Sequence, residues 1–121
     1  MQITQKNFYK KLLGRAGEKK AVEFLKDEGY KIVTQNFKTH FGEIDIIAKD
    51  GETVVFVEVK TRSSDEYGAP SEAVNFKKRE KYFLVATEYL RNNNLLDAMS
   101  RFDVIEIENG KINHIIDAFS M

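Results

Sequence analysis

The chain contains no cysteine and a single proline in 121 residues. Without cysteine there is no disulfide framework, no thiolate-held zinc or iron–sulfur centre and no cysteine nucleophile, a composition that fits a reducing cytosol. Only two histidines, His40 and His114, are present, which is too few for a histidine-rich metal centre or an ordinary Ser-His-Asp triad. Apolar runs are a few residues long, against the roughly 18 that a membrane span needs. No apolar stretch follows the lysines of the opening MQITQKNFYKK, so a secretory signal is not expected there. Net charge is missing as well. Nineteen basic residues balance nineteen acidic ones, so any hold on a polyanion must come from local charge. The expectation is a cytoplasmic protein without membrane association.

What is present is ordinary globular composition, with 42% hydrophobic and 31% charged residues, which argues against disorder. The length is a little under one unit of the ~150-residue domain prior and predicts a single domain over residues 1–121. A first helix is expected from about Lys6 to Glu28, closed by Gly29 at the position a C-terminal cap prefers. YKIVTQNF, Tyr30 to Phe37, reads as a strand rich in β-branched and aromatic residues. GEIDIIAK and TVVFVEVK follow as two more strands, with Asp50-Gly51 between them as a hairpin signal. The most loop-like stretch is Ser63 to Ser71, which holds Pro70. A second helix is expected from about Asn75 to Arg91, stopped by Asn92-Asn93-Asn94. RFDVIEIE and KINHIIDAF then flank Asn109-Gly110 as a second hairpin. The order is α-βββ-α-ββ. A helix between the third and fourth strands implies a right-handed crossover, hence a mixed sheet with helices on its faces: a three-layer α/β/α domain.

Several carboxylates stand where solubility does not explain them. In TVVFVEVK, Val55, Val57 and Val59 share one face while Val54, Phe56, Glu58 and Lys60 share the other. Both faces are mostly apolar, so the strand is central and Glu58 enters a largely buried surface, where an unpaired charge is expensive. If Asp50-Gly51 is a two-residue turn, Lys49 faces Glu52, Asp45 faces Phe56 and Glu43 faces Glu58. That register places Glu43, Asp45, Glu58 and Lys60 on one face, with Asp45 and Glu58 as diagonal neighbours able to converge on one cation. On the first helix, Leu13, Gly14, Gly17, Ala21, Val22, Phe24 and Leu25 form a continuous apolar or small arc, and Glu18 falls inside it. Glycines at 14 and 17 cost about 1 kcal/mol each against alanine, which points to close packing or backbone access at both.

Two or three carboxylates converging with one lysine suit metal-assisted phosphodiester hydrolysis. Mg²⁺, or Mn²⁺ in its place, takes hard oxygen ligands, usually one or two carboxylates plus waters and a substrate phosphate. Such an ion acidifies a bound water, and a lysine two residues beyond the acid can orient that water and stabilise developing charge.

Asp45 followed by Glu58-Val59-Lys60, with a helical glutamate upstream, resembles the PD-(D/E)XK nuclease superfamily and its restriction-endonuclease-like fold. More narrowly, GRAGEKKAVEFL, GEIDIIA, VFVEVKTR, GAPSEAV and RFDV resemble the YraN-like family of uncharacterised bacterial proteins, over most of the chain from about Gly14 to Phe119. The resemblance implies that Asp45 and Glu58 are metal ligands and Lys60 the water-positioning residue. Glu18 matches the helical acid that archaeal Holliday-junction resolvases of the superfamily add to the site. Ile44 stands where the superfamily motif usually has proline, whereas GEID itself matches the YraN-like pattern. Lys78, in the basic KKREK run, matches that pattern too and is the preferred phosphate contact on the second helix. Arg15, Lys19 and Arg62 would line the same cleft. Glu43 is either a strand-end acid facing water or a neighbour of the metal shell.

The implied function is a resolvase-like, Mg²⁺-dependent nuclease with nucleic acid, DNA foremost, as substrate. Because such an enzyme must cut two strands, a homodimer follows from the resemblance, although no residue marks its surface. The alternatives are a nucleic-acid-binding module that keeps the acidic cluster without cutting, and an adaptor in a DNA-processing assembly. The bland reading of Glu58 and Lys60 is an ion pair within one strand. For Arg101 and Asp103 it is an anchor at the sheet edge, for Tyr82 and Tyr89 core packing, and for His40 and His114 a loop and a strand position.

Overall fold

Alternation along the TVVFVEVK strand decides the layering, because a strand buried on both faces needs a helix over each. The computed structural model describes residues 5–62 and 76–120, with side chains from Leu13 onward. The Ser63–Ser71 loop with Pro70, the GAPSEAV motif and the expected helix start at Asn75 lie outside the described residues. In chain order the elements are α1 (Gln5–Asp27), β1 (Lys31–Thr39), β2 (Gly42–Asp50), β3 (Thr53–Arg62), α2 (Phe76–Asn92), β4 (Ser100–Glu108) and β5 (Lys111–Phe119). They form one five-stranded sheet in the order β1-β2-β3-β4-β5. Every neighbouring pair is antiparallel except β3 and β4, which run parallel across the α2 crossover. The fold is the mixed-sheet α/β architecture in the order α-βββ-α-ββ.

Two cores result, one on each face of the sheet. Val55 and Val57 pack with Ala21, Val22 and Leu25 of α1 and with Ile46, Ala48, Ile105 and Ile107. Val54 and Phe56 pack with Tyr82, Val85, Ala86 and Tyr89 of α2 and with Ile44, Ile47 and Val104. The inward arc of α1 is therefore as its periodicity reads. Gly17 is part of it for a physical reason: a Cβ there would collide with Thr61 Oγ1 and also meet Thr61 Cβ at 3.4 Å. Gly14 differs from expectation, since among the described residues nothing lies within 4 Å of where its Cβ would stand.

Both helices end in the same way. Tyr30 N donates to Leu25 O and Gly29 N to Lys26 O around Gly29 at φ +93°. Leu95 N donates to Leu90 O and Asn94 N to Arg91 O around Asn94 at φ +56°. This is the Schellman pattern, with glycine in one helix and asparagine in the other taking the left-handed position. Asn109-Gly110 forms the expected two-residue turn, with both residues at positive φ and Glu108 paired to Lys111.

The β2–β3 turn corrects the sequence reading. Its closing pair is Asp50 with Thr53, so the loop residues are Gly51 and Glu52, with Gly51 at φ +61°. Glycine entering a two-residue loop at positive φ satisfies the turn better than Asp50 would. The register moves by two residues: Lys49 faces Val54 rather than Glu52, and Ile47 rather than Asp45 faces Phe56. Face parity on β3 survives such a shift, but the direct pairing of Glu43 with Glu58 does not.

A second correction concerns β2. Ile44 packs in the α2 core together with Ile47, whereas Ile46 and Ala48 pack in the α1 core. Strict alternation therefore breaks at Asp45. On β1 the register shifts between Ile32 and Thr34, and Asn36 takes φ +53° between the pairs Gln35–Ile46 and Phe37–Ile44. Glu43 consequently does not share the face of Glu58.

Candidate active site

The break at Asp45 is what opens the site. The β2–β3 ladder ends at the pair Ile46–Val57, and Asp45 and Glu58 are the next residues on each strand. Asp45 uses Oδ2 to accept the Val59 N–H at 2.8 Å, which caps β3 where the ladder stops. Its carboxyl also shares a hydrogen bond with Glu58. Burial, the Glu58 charge and that shared bond together push Asp45 up to about 8 from an ordinary 3.8. Two carboxylates this close and this buried do not both ionise without a compensating positive charge.

Glu58 is half-buried like Asp45, its side chain 11% exposed. Lys78 Nζ of α2 lies 3.2 Å from Glu58 Oε1. The Tyr82 hydroxyl, one helical turn further, faces Glu58, and burial together with that carboxylate raises its pKa. Lys78 also stands 5.8 Å from the Tyr82 ring centroid. The ion pair of Glu58 is thus with Lys78 across the layers and not with Lys60 along the strand. Lys60 shares the Glu58 face two residues on and is half-buried. Among the described residues Lys60 makes no ion pair.

β1 supplies the connection between the other acids. The Asn36 side-chain amide, turned with its NH₂ toward the carboxylates, donates to Glu43 Oε1 at 2.9 Å and to Glu18 Oε2 at 3.3 Å. Burial raises the Glu18 pKa, Asn36 opposes that rise, and the charges of Glu43 and Glu58 add to it. Glu18 also raises Asp45. The four acids Glu18, Glu43, Asp45 and Glu58 therefore sense one another around the open end of β2 and β3. Asp45 and Glu58 are the tight pair. Among the described residues no three acidic or imidazole side chains stand close enough to enclose an ion as they are. The oxygen-only donor set and the crowded pair nevertheless fit a hard divalent cation held by two protein carboxylates and completed by water and phosphate.

The expected basic residues separate into three places. Arg15 and Lys19 line a groove with Glu18, Lys26 and Gln35, between α1 and β1. Arg62 is not part of that groove: it ends β3 opposite Glu108 and its charge acts on Glu106. Lys78 lies on Glu58, as described.

Three contributors escape the sequence reading. Asn36 bridges two acids from a left-handed position, and only its tolerance of positive φ hints at this. Tyr82 follows Lys78 by four residues, a spacing that puts both on one helix face. Glu106, on β4 beside Lys60, is buried, and its Oε1 has no hydrogen-bond partner among the described residues. Burial raises its pKa, Arg62 opposes the rise and Glu108 adds to it. An acid in the alternation of RFDVIEIE, on a strand paired on both sides, is the signal that would have found it.

On the α1 face of the sheet, with Asp103 paired beside Val57, the RFDV segment builds a separate network. Asp103, fully buried, accepts from Arg101 Nε at 3.0 Å and from the Asp117 N–H at 3.0 Å, and lies 2.7 Å from His114 Nε2. Arg101 extends it to the Tyr30 hydroxyl at 2.7 Å and to Asp50 at 3.2 Å. This joins β4 to β5, to the start of β1 and to the β2–β3 turn. It is an anchor, although β4 is an inner strand and not the sheet edge. His40 is an exposed loop residue that packs on Phe41.

The family model for the uncharacterised protein family UPF0102 matches residues 17–107, a span that holds Glu18, Asn36, Glu43, Asp45, Glu58, Lys60, Lys78, Tyr82 and Glu106. A UPF0102 protein of Alkaliphilus oremlandii is 50% identical over 115 residues, covering 90% of this chain and 98% of the relative. One of Clostridioides difficile is 49% identical over 108 residues, covering 88% and 95%. One of Caldicellulosiruptor saccharolyticus is 47% identical over 108 residues, covering 89% and 92%. With a family model over most of its length and relatives this similar end to end, the chain belongs to the UPF0102 family, the one its YraN-like motifs point to.

Proposed function

We propose that this protein is a metal-dependent nuclease that hydrolyses phosphodiester bonds of nucleic acid, DNA foremost. The observation that carries the reading is the Asp45–Glu58 pair: two carboxylates share a hydrogen bond at the end of a broken ladder, with Lys60 two residues beyond on the Glu58 face. A structural acid pair gains nothing from such crowding, which costs stability at neutral pH.

Asp45 and Glu58 would hold the ion, Mg²⁺ or Mn²⁺, with Glu18 near enough to complete its surroundings through water. When bound, such a cation supplies an acidified water and offsets charge on the scissile phosphate. The chain's own residues do the rest. The Val59 N–H fixes the Asp45 oxygen, and Tyr82 orients Glu58 from the opposite layer. Lys60 is placed to hold the attacking water and to stabilise negative charge as it builds. Asn36 keeps Glu18 and Glu43 aligned despite their like charge. Arg15 and Lys19, along the groove beside Glu18, supply local positive charge for a backbone that the neutral chain otherwise does not attract. A homodimer would let two such sites act on two strands.

The test is cleavage of a panel of single-stranded, duplex, flap and four-way-junction DNA in Mg²⁺ or Mn²⁺. Wild type cuts at least one of them. Asp45→Asn, Glu58→Gln and Lys60→Met, each folded by circular dichroism, lose on the order of a hundredfold or more in rate. Salt-sensitive binding of the panel without cleavage would replace this reading with a non-cutting nucleic-acid-binding module. Neither binding nor cleavage would leave an adaptor.

A further inference from the structure

The carboxylate that should hold a cation already holds an ammonium. Glu58 is 11% exposed and faces protein groups: Lys78 Nζ at 3.2 Å, with the Tyr82 hydroxyl and the Asp45 carboxyl beside it. Lys78 and Tyr82 both come from α2, one turn apart, so a single helix face closes over the carboxylate from the opposite layer. A divalent cation on Glu58 would face the Lys78 charge at close range, which opposes its binding. The Lys78 side chain is 34% exposed, and a lysine swings its charge on a flexible four-carbon stem.

We propose that Lys78 is a substrate-released latch: its ion pair with Glu58 holds the cation site weak until a nucleic-acid phosphate draws the ammonium away. The proposal rests on the metal-dependent reading above. A phosphate oxygen is an acceptor that competes with Glu58 for the same ammonium, and Tyr82 stays behind to keep Glu58 oriented. Because the exchange links two binding events, phosphate raises cation affinity and the cation raises phosphate affinity by the same factor. The protein without substrate would then hold little metal, and both would be taken up together.

The test is calorimetric titration of Mn²⁺ into the full chain, with and without a phosphorothioate DNA hairpin carrying a single-stranded tail. Wild type, Lys78→Met, Lys78→Gln, Lys78→Arg and Asp45→Asn are compared. Lys78→Met and Lys78→Gln are expected to bind Mn²⁺ about tenfold more tightly than wild type, and Lys78→Arg close to it. The hairpin raises wild-type Mn²⁺ affinity by a similar factor and leaves the two neutral variants nearly unchanged. Neutral variants within twofold of wild type, or weaker, overturn the latch, as does a wild-type affinity the hairpin does not move. Mn²⁺ binding that is lost in Asp45→Asn yet indifferent to Lys78 leaves the cation site standing and removes only the latch. Absence of binding in every variant removes both.

Discussion

Asp45 does two jobs with one carboxyl: it caps the Val59 N–H where the ladder ends, and it shares a proton with Glu58. Its folded pKa is raised, so the folded state binds the proton more tightly than the unfolded chain does. Wild-type stability should therefore fall as pH rises from about 4 toward about 8. Asparagine reproduces the protonated acid, with an oxygen for Val59 and an NH₂ for Glu58. In metal-free buffer Asp45→Asn should match wild type in thermal stability near pH 4. Near pH 8.5 it should exceed wild type by on the order of 2 kcal/mol. Equal melting temperatures at both pH values would show that the pair stores no charge conflict. That Asp45, Glu58 and Glu18 face inward was legible from strand parity and helix periodicity. Asn36 and Tyr82 were not, because a left-handed asparagine and a tyrosine hydroxyl aimed out of a core leave no trace in hydrophobic patterning.

At the scale of elements, α1 and β3 meet through Gly17, and the approach is too close for a side chain. Gly17→Ala gains about 1 kcal/mol in helix propensity but forces a collision with the stiff Thr61 side chain, costing roughly 1–3 kcal/mol. The expected outcome is a net loss in denaturant melts. Gly14→Ala, with nothing within 4 Å among the described residues, should instead stabilise by up to about 1 kcal/mol. A Gly17→Ala variant as stable as Gly14→Ala would contradict the packing. Both glycines look alike in the sequence, since helical spacing marks the inward arc without saying where along it the sheet comes nearest. The β2–β3 turn makes the same point. Asp50-Gly51 announced a hairpin, but which two residues form its loop depends on where positive φ is needed, and a shift of one loop position moves the register by two. Element order and the double-faced burial of β3 survived that shift because both depend on parity alone.

Across the whole molecule the sheet carries two polar clusters with different tasks. The Arg101–Asp103–His114 network ties β4 to β5, β1 and the β2–β3 turn, while the acids gather where β2 and β3 part. Burial alone would raise the Asp103 pKa, but the His114 and Arg101 hydrogen bonds and the Asp117 N–H outweigh it and hold it below 3.8. A depressed folded pKa contributes stability that is present above the unfolded value and is lost as pH falls through the folded one. Asp103→Asn should therefore cost on the order of 3 kcal/mol at pH 7 and flatten the decline of stability below pH 4, both readable from melts across pH.

A cation site at Asp45 and Glu58 is tested by titrating Mg²⁺ and Mn²⁺ calorimetrically into wild type and the Asp45→Asn/Glu58→Gln double variant, with and without the DNA hairpin and with folding confirmed by circular dichroism. Wild type is expected to bind saturably, weakly alone and more tightly with the hairpin, Mn²⁺ more tightly than Mg²⁺, and a folded double variant not at all. Equal binding by both proteins, or none by wild type at millimolar metal with the hairpin present, would overturn the site.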